Sequence, residues 1–165
     1  MTAPCLSPSH VANSVLRRAF AEHTDVTPMK LQRILYFLAC EYAKDAGGPL
    51  FNEQFQTWEY GPVLRSLHDK FRPLAGKPIA VFWKDAAGFS QRINESQNRV
   101  FRHALDAVWN SCRDVPVVTL SRITHLPGSA WYQAYVTQER QLSTDAMAAD
   151  TTYAQLLGLN RLLTV

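Results

Sequence analysis

No run of 18 apolar residues occurs in the sequence, so no membrane span is expected. The first residues lack the apolar core of a signal peptide, because Ser7, Ser9, His10 and Asn13 interrupt it, and export by that route is not expected. Only three cysteines are present, Cys5, Cys40 and Cys112. They are odd in number, far apart and form no CxxC, which excludes a disulfide framework and points to a reducing cytoplasm. Cys40 and Cys112 fall within helical patterns and read as small core residues. Phosphate-cradling loops are missing too: no GxxxxGK[ST] or GxGxxG occurs. The five histidines, His10, His23, His68, His103 and His125, show neither HExxH nor any paired spacing, so no metal site is expected. No GxSxG marks a nucleophile, and His125, at the end of a helix, reads as structural.

What is present is an ordinary globular composition. The chain has 165 residues, 47% hydrophobic and 19% charged, with a net charge of +3. That suffices for one domain with a proper core. Arg17, Arg18, Lys30, Arg33, Arg65, Lys70 and Arg72 share the N-terminal half, but Asp25, Glu41, Glu53, Glu59 and Asp69 dilute them. A solvated helix face explains this mixture better than a nucleic-acid patch. Arg17 and Arg18 are expected to point to water.

The elements follow from periodicity. Ser9 can cap a helix to about His23, burying Val11, Val15 or Leu16, Ala19 and Phe20. Thr27-Pro28 starts a second helix, Met29 to about Lys44, with Leu31, Ile34, Leu35, Leu38 and Tyr42 as its core stripe. Gln32, Arg33 and Tyr36 lie off the centre of that stripe. Gly47-Gly48-Pro49 ends it. Phe55 to Tyr60 alternates like a strand, and Gly61-Pro62 turns the chain into a helix carrying Val63, Leu67 and Phe71, stopped by Pro73. Ile79–Trp83 and Phe89–Ile93 read as two further short strands. Helices are expected over Asn94–Arg113, Leu120–Leu126 and Ala130–Val136, the last capped by Ser129. Gln138–Asp150 reads as a polar linker and Thr151–Leu163 as a final helix interrupted by Gly158. The expected fold is mainly α (α+β): one domain of about six helices with a small antiparallel β element around residues 55–60 and 79–93.

Three blocks stand out together: Thr27-Pro28-Met29-Lys30-Leu31-Gln32-Arg33-Ile34-Leu35-Tyr36, Trp58-Glu59-Tyr60-Gly61-Pro62-Val63, and Leu120-Ser121-Arg122-Ile123-Thr124-His125 followed by Pro127-Gly128-Ser129-Ala130-Trp131. In this order they resemble the Panacea domain, the SocA-like or phage-associated GepA-like family, over about residues 9 to 137. Residues 1–8 would then be a lead-in and 138–165 a linker and terminal helix outside the match.

The resemblance implies a mainly helical antitoxin of bacterial or prophage toxin–antitoxin pairs, which binds a cognate toxin protein directly, toxins of the alarmone-synthetase type included. SocA-like members are similar to adaptors that deliver the toxin to a ClpXP-type protease. That reading, and a phage-associated regulatory protein, stay open as alternatives. The resemblance implies no cofactor and no enzymatic activity. The residues it carries over, with their neighbours, form the candidate partner-binding or signature set: Lys30, Gln32, Tyr36, Trp58, Glu59, Tyr60, Gly61, Pro62, Arg65, His125 and Trp131. Trp58, Tyr60 and Arg65 are residue types that anchor protein interfaces. Core burial of the aromatics, with Glu59 paired to a cation, is the competing reading. Two further classes remain: an enzyme using Glu59 and His125 together, and DNA-binding autoregulation.

Overall fold

The computed structural model describes residues 5–160. Among these, six α-helices surround one long central helix, and two short strands form an antiparallel pair. The helices are α1 (Pro8–Ala21), α2 (Pro28–Ala46), α3 (Arg65–Phe71), α4 (Arg99–Cys112), α5 (Val117–Thr124), α6 (Ala130–Val136) and α7 (Thr144–Ala149). The strands are β1 (Gln56–Trp58) and β2 (Gly61–Val63). The protein is therefore mainly α with a small β element. No helix among the described residues is long and apolar enough to cross a membrane.

Helix α2 organises the core. Thr27 Oγ1 accepts from the Lys30 N–H at 3.2 Å, Pro28 occupies the first turn, and Gly47 closes the helix in the left-handed region at φ 72°. Leu31, Ile34, Leu35, Leu38 and Tyr42 are buried as the stripe predicts. Gln32, Arg33 and Tyr36, expected off its centre, are buried as well, so α2 is covered on every side from Lys30 to Ala43. It packs on α4, α5 and α7 and on the hairpin.

The Gly61-Pro62 corner differs from its expected form. It does not open a helix: Gly61 to Val63 pair with Gln56 to Trp58 in a hairpin whose loop is Glu59-Tyr60, and α3 starts only at Arg65. Ile79–Trp83 and Phe89–Ile93 form no strands. Their backbone groups find side chains of α1 instead of a ladder. The Trp83 N–H donates to Asn13 Oδ1 (2.8 Å), and Asn13 Nδ2 donates back to the carbonyls of Trp83 (3.0 Å) and Gln91 (2.8 Å). The Ile93 N–H donates to Ser14 Oγ (3.1 Å). Arg18 is likewise not a solvated side chain. It forks onto Glu95 (2.7 and 3.1 Å) and reaches Asp106 (2.6 Å), tying α1 to α4.

The stretch read as a polar linker is packed. Gln141 bridges Gln56, the Leu142 N–H donates to the Phe55 carbonyl (2.9 Å), and Ser143 caps α7. Leu142 and Met147 are buried, and their isolated placing hid them in a polar run. Asp150 is buried among donors: Tyr36 Oη (2.5 Å), the Ala130 N–H (3.1 Å) and the Thr152 N–H (3.0 Å) and hydroxyl (2.7 Å). Lys44 Nζ donates to the Asp150 carbonyl at 2.6 Å, and Tyr153 Oη donates to Glu41. Thr151 to Asn160 is a series of turns rather than a helix, with Gly158 at φ 66°. The rest of the expected final helix lies outside the described residues.

Candidate functional site

The hairpin is held by side chains that reach its backbone. A two-residue loop leaves carbonyls around the tip without ladder partners, and buried carbonyls require donors. Four of them accept hydrogen bonds from α2 and α6, and a fifth lies beside the imidazole that ends α5. Trp131 Nε1, from α6, donates to the Trp58 carbonyl at 2.7 Å. His125, which ends α5, places Nε2 3.4 Å from the Glu59 carbonyl. Arg33 donates through Nη2 to the Tyr60 carbonyl and through Nη1 to that of Pro62 at 2.7 Å. Gln32 donates from Nε2 to the Leu64 carbonyl at 2.9 Å and accepts from the Leu64 N–H at 2.8 Å, satisfying both backbone groups of one residue.

Arg33 is the centre of this clamp. It has no solvent exposure, and Nε donates to Ser121 Oγ at 3.1 Å, so α5 joins the same contact. Desolvation lowers its pKa to about 10, still well above neutrality, so the guanidinium stays charged and three neutral acceptors receive it. Its position also accounts for Gly61. A Cβ at Gly61 would lie 2.6 to 2.9 Å from the guanidinium, and φ there is 127°, which a side chain rarely adopts.

The aromatic side of the clamp is a stack. The His125 ring lies 4.2 Å from Trp131, and Trp131 stacks on Tyr135 at 4.6 Å and 18°. His125 Nδ1 is 2.6 Å from the Ser121 carbonyl, an acceptor only, so Nδ1 carries a proton.

The structure sorts the candidate residues into two groups. Lys30, Gln32, Tyr36, Gly61, Pro62 and Trp131 are buried, and His125 is half-buried. Lys30 donates to the Arg113 carbonyl at the end of α4 (2.6 Å), and burial lowers its pKa. Burial, with the nearby Asp150 carboxylate, raises the pKa of Tyr36 well above the ordinary phenol value. Glu59, Tyr60 and Arg65 face outward, Tyr60 at 55% exposure. Trp58 is between, with its ring edge-on to His68 at 4.7 Å and Nε1 donating to Gln56 (2.7 Å). Arg65 meets only Asp69, at 3.6 Å in solvent, a contact that contributes little.

The Glu59 carboxylate has no partner among the described residues, so the reading in which a cation pairs with it to hold the turn is not what is found. The imidazole meets the backbone of Glu59, not its carboxylate, and none of the larger cavities is lined by both side chains. The Cys40 thiol is pushed up by complete burial, and that of Cys112 to about 12, so neither is a ready nucleophile. Among the described residues no cluster of three or more His, Cys, Asp or Glu is placed to hold a metal. The arrangement can present a fixed surface to a partner.

Sequence reading missed Arg33 and Asp150. Arg33 stood beside Gln32 on a helix otherwise apolar along its core stripe, and that adjacency was the available signal. Asp150 had none, since it follows a polar run.

The sequence profile described as Antitoxin SocA-like, Panacea domain matches residues 31–132. This range contains Gln32, Arg33, the hairpin, His125 and Trp131. Antitoxin SocA of Caulobacter vibrioides (strain NA1000 / CB15N) is 25% identical over 124 residues, covering 73% of this chain and 66% of that protein. The match thus spans just under two thirds of that relative. No solved structure matches the chain significantly. With the profile covering more than half of its length, the chain belongs to the SocA-like, Panacea domain family of antitoxins.

Proposed function

We propose that this chain is the antitoxin of a bacterial or prophage toxin–antitoxin pair, a cytoplasmic, non-enzymatic protein that neutralises a cognate toxin by binding it directly. The family and the antitoxin SocA relative support the role. The observation that carries the binding mode is the clamped hairpin: four backbone carbonyls accept from the buried side chains of Gln32, Arg33 and Trp131, while Glu59 and Tyr60 at its tip stay outside. An aromatic on a rigid tip loses little entropy on binding, a property of interface anchors. In this reading Lys30, Gln32, Tyr36, Gly61, Pro62, His125 and Trp131 build the support. Glu59, Tyr60, Arg65 and the edge of Trp58 form the contact.

Co-expression with the product of the adjacent gene tests the proposal. The neighbour alone should arrest growth, the wild-type chain should restore it, and the two should co-purify. An alarmone-synthetase toxin is the class the resemblance suggests trying first. A non-toxic neighbour, or toxicity that persists beside abundant wild-type chain, overturns the reading. Measuring the neighbour's half-life in the same cells separates two modes: an unchanged half-life fits sequestration, and faster decay makes the chain an adaptor for a ClpXP-type protease.

A further inference from the structure

Two recesses flank the hairpin tip and share one wall. The first, about 230 Å3, lies between the start of α2, the hairpin and α3. Met29, Val63, Leu67 and Phe71 line it, Tyr60 stands at its mouth and Arg72 at its edge. The second, about 610 Å3, is bounded by Trp58, Arg65 and Arg140 with Gln56 and Gln141. Between them stands the edge-to-face contact of Trp58 with His68. Tyr60 continues this wall, its ring edge-on to Trp58 at 6.3 Å.

The two recesses differ in chemistry. The first is apolar, and it is smaller than the roughly 300–1,000 Å3 of pockets that enclose drug-sized ligands. It has room for one large side chain. Met29 and Tyr60 are apolar groups left 36% and 55% exposed at it. The second recess and the edge of the first are cationic. Arg72 and Arg140 are exposed and have no ion pair among the described residues, and Arg65 has only its long, solvated contact with Asp69. Of the acids near it, Asp69 meets Arg65 (3.6 Å) and Glu53 accepts from the Ser66 N–H (3.1 Å), and none pairs with Arg72 or Arg140 among the described residues. The unpaired guanidiniums of Arg72 and Arg140 thus stand beside an apolar slot.

We infer that this face docks a protein segment in which a large apolar side chain, seated between Met29, Leu67 and Phe71, is followed within a few residues by acidic side chains that pair with Arg65, Arg72 and Arg140. The inference rests on the reading of the chain as a binder of a partner protein and adds the chemistry of what is bound. Charge complementarity selects the occupant. A purely apolar segment would leave the arginines unused, and a nucleic-acid backbone offers nothing for the slot.

Random peptides displayed on phage and selected against the full-length protein test this directly. The expected winners carry a large apolar residue close to Asp or Glu. They should bind R72E/R140E at least about tenfold more weakly than wild type, or about 1.4 kcal/mol, and weaken as salt is raised. Circular dichroism of the double variant should match wild type, since both arginines are exposed and unpaired. Winners lacking acids, equal binding by the variant, no enrichment at all, or competition only by duplex DNA would each overturn the inference. Co-purification of the adjacent gene product with R72E/R140E keeps the two readings apart. A complex formed equally by wild type and variant removes this face but leaves the antitoxin reading standing. No complex with wild type removes the antitoxin reading, while the peptide selection still decides the face.

Discussion

The hairpin Trp58-Glu59-Tyr60-Gly61-Pro62-Val63 has two sides that differ in almost every physical respect. On the inner side, donors from Arg33, Gln32 and Trp131 meet its carbonyls, and a fully buried guanidinium rests against Gly61 where a side chain would be. On the outer side, the Glu59 carboxylate has no partner among the described residues and Tyr60 is 55% exposed. Adjacent residues in one short motif thus do different work. Of the candidate residues outside the hairpin, Gln32, His125 and Trp131 reach its backbone, while Lys30 and Tyr36 are held by the Arg113 carbonyl and Asp150. In the proposed reading, the contact is the part of the motif that this support leaves uncovered.

The comparison can be broken first at its tightest point. Gly61→Ala should cost about 3 kcal/mol, combining a strained φ with a clash against Arg33. Chemical denaturation measures this, and a loss under about 1 kcal/mol would show that the guanidinium moves freely and does not clamp.

How far such a point could be read in advance depends on the residue. The caps at Thr27 and Ser129, the end at Gly47 and the buried faces of α2 and α4 were legible because each depends on residues within one or two turns. The hairpin's location was legible from Gly61-Pro62, but its form was not. Whether Gly61 opens a helix or a strand is decided by Arg33, nearly thirty positions earlier. The segments 79–83 and 89–93 have strand composition but no strand to pair with, and Asn13 and Ser14 on α1 supply the partners a sheet would have given. Tyr36 looked peripheral because the carboxylate that accepts its hydroxyl, Asp150, lies 114 positions away in a stretch with no apolar period.

A smaller loss should follow at the other end of the clamp. Gln32→Ala removes both hydrogen bonds to Leu64 and leaves a buried N–H and carbonyl unpaired, at about 2 kcal/mol. Urea unfolding with an unchanged m value would assign that loss to the native state. A near-neutral result would mean that water replaces the amide and reaches the inner face.

The outer side should respond least. Glu59→Gln should leave stability within about 0.5 kcal/mol of wild type, as for an exposed group without partners. A marked drop in melting temperature would give the carboxylate a structural role and blur the difference between the two sides.

The most direct measurement pairs stability with binding in one variant, Tyr60→Ala. The phenol is lost from the tip while every donor to the hairpin backbone stays in place. The melting temperature should move by less than about 2 °C, corresponding to well under 1 kcal/mol for a chain of this size. Co-purification with the adjacent gene product, and rescue from any toxicity it has, should be lost. A protein that melts much earlier yet still binds and rescues would contradict the account, placing Tyr60 with the support and the contact elsewhere.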